Sequence, residues 1–220
     1  MRTVSSNPTT PAKPLAGRSM AKAWVVFFAA TVAMVGVGCS PNNRQVKFYL
    51  LQPVSRPDAH GGLVETAKPL LVGVGPVEIP AYLDRPQIVT GNAGAELQMA
   101  EYHRWAEPLK DSITRVLAEN LALSMPDSHI VSFPWNRAIA LDFQVEVKVS
   151  RFHVDAAGHC ELKADWTLLK QNKPVLMKAF QTITFVTGND FAADVVAQSQ
   201  ALARFGKEIA AGLQAAAETR

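Results

Sequence analysis

The clearest pattern in the chain lies between residues 141 and 186. Leu141, Phe143, Val145, Val147 and Val149 alternate with Asp142, Gln144, Glu146, Lys148 and Ser150. A period of two puts one set on each face of a strand. The phase changes before Phe152 and Val154, and one extra residue near Ser150–Arg151, a β-bulge, accounts for it. Gly158 marks a turn, and Cys160, Leu162, Ala164, Trp166 and Leu168 then alternate again. After a second turn at Asn172–Pro174, Val175–Val186 completes a three-strand antiparallel meander. Such a sheet buries one face and leaves the other polar.

Two stretches carry a helical period instead. Leu109, Ile113, Val116, Leu117 and Leu121 share one face of a helix that opens near Glu107, with Pro108 at its first position, and stops at Pro126. Phe191, Val195, Leu202, Phe205, Ile209 and Leu213 form the stripe of a second helix, capped by Asn189 or Asp190 and rich in alanine elsewhere. Shorter apolar runs predict strands at Phe48–Leu51, Leu70–Val77 and Ile130–Phe133. Gln87–Thr90 and Glu96–Tyr102 read as a hairpin around Gly91–Gly94, and Pro53–Pro69 as a loop. The expected fold is α+β (mixed α/β): a largely antiparallel sheet of about seven or eight strands with two main helices, in a single domain.

The N-terminal part follows different rules. Residues 23–38 are uncharged and apolar, but about 16 residues fall short of the roughly 20 that span a bilayer. The run follows Arg18 and Lys22 and ends in small residues, the pattern of an export signal. Residues 1–19 are rich in Pro, Ser, Thr and Asn, and Met20 would open a signal of ordinary length, so translation is expected to start there. Cys39 directly follows Gly38 and precedes Ser40, which resembles a bacterial lipoprotein processing site, with Gly36 where Leu is more usual. Ser40, in place of an acidic residue, resembles lipoproteins passed on to the outer membrane. The expected organisation is a leader at 1–38, a lipidated tether at 39–46 and a periplasmic domain at 47–220. Each buried CH₂ adds about 0.8 kcal/mol, so two or more acyl chains on Cys39 anchor stably where one does not. Residues 40–46 reach at most about 25 Å, which keeps the domain close to its membrane.

Charge and chemistry narrow the function. Of 22 Lys and Arg in the 220 residues, Arg2, Lys13, Arg18 and Lys22 lie in the leader, which has no acid. The rest of the chain holds 18 basic against 19 acidic residues, and nothing in that balance asks for nucleic acid. With Cys39 acylated, Cys160 has no disulfide partner and reads as a small core residue. Gly73-Val74-Gly75 lacks a third spaced glycine, and neither a Gly-x-Ser-x-Gly elbow nor a His-Glu-x-x-His pair occurs. His153, Asp155, His159 and Cys160 surround one tight turn, where four zinc ligands would need unusual geometry, so the expectation is no metal and no catalytic group. Two segments mix both signs of charge with aromatics and prolines: Val77–Pro86 and Glu101–Leu109. Arg85 or Arg104 could pair with Asp84 or Glu107 to pin a loop and a helix start. Alternatively, Tyr, Trp and Arg there could anchor an interface.

These segments, with Phe48-Tyr49-Leu50-Leu51-Gln52-Pro53, carry a family resemblance. Gly75-Pro76-Val77-Glu78-Ile79-Pro80-Ala81-Tyr82-Leu83-Asp84-Arg85-Pro86-Gln87-Ile88-Val89 and His103-Arg104-Trp105-Ala106-Glu107-Pro108-Leu109, behind a lipidated Cys39, resemble the ABC-type transport auxiliary lipoproteins of the PqiC-like kind. The resemblance runs from Cys39 to about Leu213. It implies a non-enzymatic lipoprotein on the periplasmic face of the outer membrane. Its partner would be an MCE-domain periplasmic protein of an inner-membrane lipid transport complex, and it would carry no cofactor beyond acyl chains on Cys39. Tyr82, Leu83, Asp84, Arg85, Arg104, Trp105 and Glu107 are the candidate partner or subunit contacts, and a homo-oligomeric ring would suit the role. The rival readings are a periplasmic lipid carrier, which needs a large apolar cavity, and an envelope hydrolase using His153 and His159.

Overall fold

The computed structural model describes residues 45–53, 69–92, 95–136 and 138–218. The leader, Cys39 and the tether up to Arg44 lie outside them, as does most of the loop after Pro53. Eight strands and two helices follow in order: β1 (Lys47–Tyr49), β2 (Leu71–Glu78), β3 (Gln87–Gly91), β4 (Leu97–Trp105), α1 (Leu109–Ser124), β5 (His129–Ser132), β6 (Phe143–Val154), β7 (His159–Lys170), β8 (Lys173–Phe185) and α2 (Phe191–Glu218).

The alternating segment β6 is the spine of the sheet. Along one edge it pairs antiparallel with β7, which pairs in turn with β8, as the meander predicts. The register shifts between Val149 and Arg151, where the phase change in the sequence places a bulge. Along the other edge, β2 runs parallel to the first half of β6 and β3 meets its end at Thr90–Val154. β5 lies parallel outside β2, β4 antiparallel to β3, and β1 parallel to β4. The sheet is therefore mixed, not largely antiparallel. Hairpins are local and show in the sequence; the parallel pairs join segments tens of residues apart through crossovers.

Both helices cover the apolar face and pack on each other, α1 over β2 and β5 and α2 over β6 to β8. Val145, Val147, Val149 and Phe152 of β6 and Cys160, Leu162, Ala164, Trp166 and Leu168 of β7 are buried beneath them. Asp190 caps α2, its Oδ1 accepting from Ala193 N at 2.9 Å. Pro108 sits at the cap of α1, one position before the expected one, and no side chain caps that end. On the opposite face, Trp135 and Leu141 close over β2. A Cβ on Gly73 would come within 2.9 Å of the Trp135 ring and 2.6 Å of Leu141 Cδ1, so only glycine fits. Pro174 lies inside β8, where its missing N–H is tolerated because β8 is an edge strand.

Candidate interaction surfaces

The two mixed-charge segments fold onto each other. The chain leaves β2 through a turn in which Leu83 N donates to the Pro80 carbonyl (2.9 Å) and Arg85 N to the Leu83 carbonyl (2.8 Å). Trp105 N then donates to the Pro86 carbonyl at 2.7 Å, and Ala106 N to the Tyr49 carbonyl at 2.9 Å. A surface cleft of about 340 Å³ separates Asp84–Pro86 from Trp105–Leu109. Arg85 Nη1 lies 2.7 Å from Met99 Sδ at its edge.

The candidate contact residues divide by location. Leu83 and Trp105 are buried and hold the turn and the strand end in the core. Glu107 accepts from Arg115 Nη2 (2.8 Å) and Nε (3.1 Å), and Arg115 Nη2 also donates to the Leu51 carbonyl at 3.0 Å. Burial opposes the charge on Glu107, but the bonds from Arg115 and Ser112 outweigh it and leave the carboxyl below its usual range. The partner of Glu107 is thus Arg115, not the Arg85 or Arg104 expected from the sequence. Arg104 Nε donates to the Glu101 carbonyl at 3.4 Å. Tyr82 turns to the other side of the loop, its ring edge-on to His153 with centroids 6.1 Å apart and its hydroxyl donating to the Ser150 carbonyl at 3.4 Å. Asp84 is exposed, with Arg85 and Arg104 half-buried, so most of the motif is a clamp between β1, the β2–β3 turn and α1.

The histidines are separated as well. His153 Nδ1 is buried without a partner, and burial, with Arg151 adding to it, pushes its pKa down. His159 lies 3.3 Å from Asp155, whose Oδ1 also accepts from the Ala157 and His159 backbone N–H groups. Cys160 points into the core, where burial pushes its thiol up to about 12. Among the described residues, no group of three or more His, Cys, Asp or Glu side chains could hold a metal. A further polar pair ties the sheet to α2: Tyr49 Oη and His103 Nδ1 share a 2.8 Å hydrogen bond, and His103 stacks on Phe191 with centroids 4.0 Å apart.

The largest exposed side chains lie where the sequence predicted polar surface. On the outer face of β8, Met177 is 73% and Phe185 69% exposed, with Val175 and Ile183 about half exposed. Their cross-strand neighbours on β7 are polar: Met177 faces Thr167, Ile183 faces Glu161, and Phe185 faces His159. The inner face of β8 is held to α2 by Lys178–Glu208 (3.1 Å) and by Thr184 Oγ1 donating to the Ala197 carbonyl (2.8 Å). Among the described residues β8 therefore offers an unpaired backbone edge beside an apolar stripe, the kind of edge that other chains pair with or cover. The signal was present as apolar residues on both faces of the last meander strand. Phe48 on β1 and Phe133 after β5 are also exposed.

The domain is thus an α+β sheet backed by two helices, with exposed apolar side chains on its edge strands β1 and β8. Residues 49–210 match the family described as ABC-type transport auxiliary lipoprotein component, and the chain belongs to that family. It is thus an auxiliary lipoprotein of a transport system, in a family that is not one of enzymes. It is 26% identical over 167 residues to the intermembrane transport lipoprotein PqiC of Escherichia coli strain K12, covering 73% of this chain and 83% of that protein. The PqiC of Shigella flexneri matches to the same extent. Protein XCC0632 from Xanthomonas campestris shares the fold, with a TM-score of 0.62 at 20% identity over 77% of this chain and 95% of that one. A crystal structure of an uncharacterized protein matches with a TM-score of 0.64 at 20% identity, over 77% and 99% of the two chains.

Proposed function

We propose that this protein is anchored to the periplasmic face of the outer membrane by acyl chains on Cys39. There it docks an MCE-type intermembrane lipid transport system through a periplasmic MCE-domain partner, helping to keep the envelope intact. The observation that carries the reading is the family match over 49–210, joined to a cysteine placed after a short apolar leader. The relatives named as intermembrane transport lipoproteins support a place in transport between membranes. The exposed edge of β8 and the Asp84–Arg85/Arg104 rim are the contact surfaces, for the partner or for further copies in a homo-oligomeric ring. The protein acts by binding, without catalysis and without a cofactor.

A lipid carrier would enclose an apolar cavity. Here the space between helices and sheet is filled: Val145, Phe152, Leu162, Leu168, Leu202 and Phe205 are fully buried there. The clefts beside Leu176 and Gly212, beside Trp105 and Glu107, and beside Trp135 and Leu141 measure about 300, 340 and 490 Å³. Filling of this kind favours docking over carriage. Density-gradient fractionation of envelopes tests the anchor. The protein is expected with the outer membrane, and Cys39→Ala in the soluble periplasmic fraction; recovery of Cys39→Ala in the outer membrane after a salt wash would overturn it.

A further inference from the structure

The strand nearest the anchor carries apolar side chains that the domain leaves uncovered. Val46, Phe48 and Leu50 alternate with Tyr49 and Leu51, and the two sets point to opposite faces. Leu51 is fully buried, while Phe48 is 64% exposed and Val46 and Leu50 about 40%. Among the described residues β1 is an edge strand paired only with β4, and Phe48 is the most exposed residue of that face. Tyr102 and Arg104 lie on the same side of β4, Arg104 directly opposite Phe48.

Strand direction shows where this stripe sits. β1 runs parallel to β4, which is antiparallel to β3, and β3 meets the end of β6 in parallel. The chain therefore enters at the end of the sheet where β6 finishes. The β7–β8 turn and Val175 lie at the other end, about 20 Å along the strands from the level of Phe48 at 3.3 Å per residue. Only seven residues separate Cys39 from Lys47, a reach of about 25 Å at full extension. In the sequence, Arg44, Lys47 and Arg56 are the only charged residues between Cys39 and Pro57, and Arg104 stands opposite Phe48; the acidic Asp190 and Asp194 act on Tyr49, on the other face of the strand.

We infer that the Val46–Phe48–Leu50 face of β1 rests in the interface of the membrane that holds the acyl chains, with Arg104 at the level of anionic headgroups. The proposal rests on the acylation of Cys39. Apolar residues flanked by lysine, arginine and tyrosine are what a membrane interface accepts. The acyl chains hold the protein to the membrane, and this second contact would fix the orientation of the domain on it. β1 would then lie against the lipid while the β7–β8 end of the sheet points into the periplasm. A second copy pairing with β1 is less favoured, because a three-residue strand offers few backbone bonds.

The full-length lipidated protein, reconstituted in vesicles of phosphatidylethanolamine and phosphatidylglycerol, tests this. An introduced thiol can be labelled alone, since Cys39 is blocked by acylation and Cys160 is buried. A fluorophore at Val46→Cys or Leu50→Cys is expected to be quenched by bromines in the upper acyl chains and to shift to the blue, whereas one at Val175→Cys is not. Phe48→Asp is expected to abolish quenching at position 50 while the protein still floats with the vesicles. Floating protein with unquenched probes at 46 and 50 would overturn the inference and leave the anchor intact. Quenching of equal strength at Val175 would also overturn it, as would a blue shift at 46 and 50 that rises with protein density and comes without bromine quenching. Failure to float at all would remove the anchor itself, and this inference with it.

Discussion

Replacing Gly212 with alanine is expected to destabilise the protein, against the trend for helices. A glycine inside a helix costs roughly 0.5–1 kcal/mol relative to alanine, so propensity alone favours the exchange by about that much. The structure reverses the sign. A Cβ at 212 would press into Cη2 of Trp166 and lie 3.1 Å from Leu176 Cδ2 and 3.3 Å from Trp166 Cζ2. Trp166 is 1% exposed in the middle of β7, and its rigid ring yields only if α2 lifts from the sheet. Overpacking of this kind costs about 1–3 kcal/mol, which leaves a net loss of about 1 kcal/mol. In a domain of this size that corresponds to a fall in Tm of about 2–4 °C. Urea unfolding followed by far-ultraviolet circular dichroism measures it, and Gly212→Val should lose more. An alanine variant as stable as the parent or more so would refute the seating of α2 on Trp166.

Three further outcomes follow from named contacts. Arg115→Ala breaks the bonds to Glu107 and to the Leu51 carbonyl; for a pair about one-third exposed, a loss of about 1–2 kcal/mol in the midpoint of chemical unfolding is expected. Because the folded-state pKa of Glu107 is lowered, that contribution is complete above its unfolded pKa and fades as pH falls through the folded one; equal acid sensitivity in Arg115→Ala would contradict the pair. The pKa of His153 is also lowered, first by burial, in a setting that includes Tyr82, Arg151, Asp155 and Glu161. The unfolded chain then takes up the proton first, so stability should decline as pH drops below about 6.5, and thermal melts of His153→Phe should decline less. Met177→Asp with Phe185→Asp should leave Tm nearly unchanged, since both side chains are exposed, but should reduce self-association or partner capture; unaltered association in crosslinking would remove β8 from the contact surfaces.

The sequence made local structure legible and long-range structure much less so. The β6 bulge, the meander and the Asp190 cap each follow from adjacent residues, and the structure has them at the expected places. Parallel pairing of β2 with β6 joins residues about seventy positions apart, which periodicity does not encode. A hint was present: Leu70–Val77 is apolar almost throughout, as a strand covered on both faces is, and Trp135 and Leu141 provide the second cover. Tyr82 to Arg85 and Arg104 to Glu107 were recognisable as special segments, but the role of Glu107 depends on Arg115, eight residues further on in the second turn of α1, and that of Tyr82 on Ser150 and His153. The apolar outer stripe of β8 departs from the polar face expected of a meander, and alternation alone does not show it.

The claim that this protein docks an MCE-domain partner is tested most directly in the native envelope. A photo-crosslinking residue placed at Met177, and separately at Arg104, should join the lipidated protein to its neighbours before extraction and mass spectrometry. The account predicts an MCE-domain periplasmic protein among the crosslinked products at one or both positions, lost when Cys39→Ala releases the protein from the membrane. Crosslinks that never contain such a protein, with Cys39 acylated and the fold intact, would contradict it.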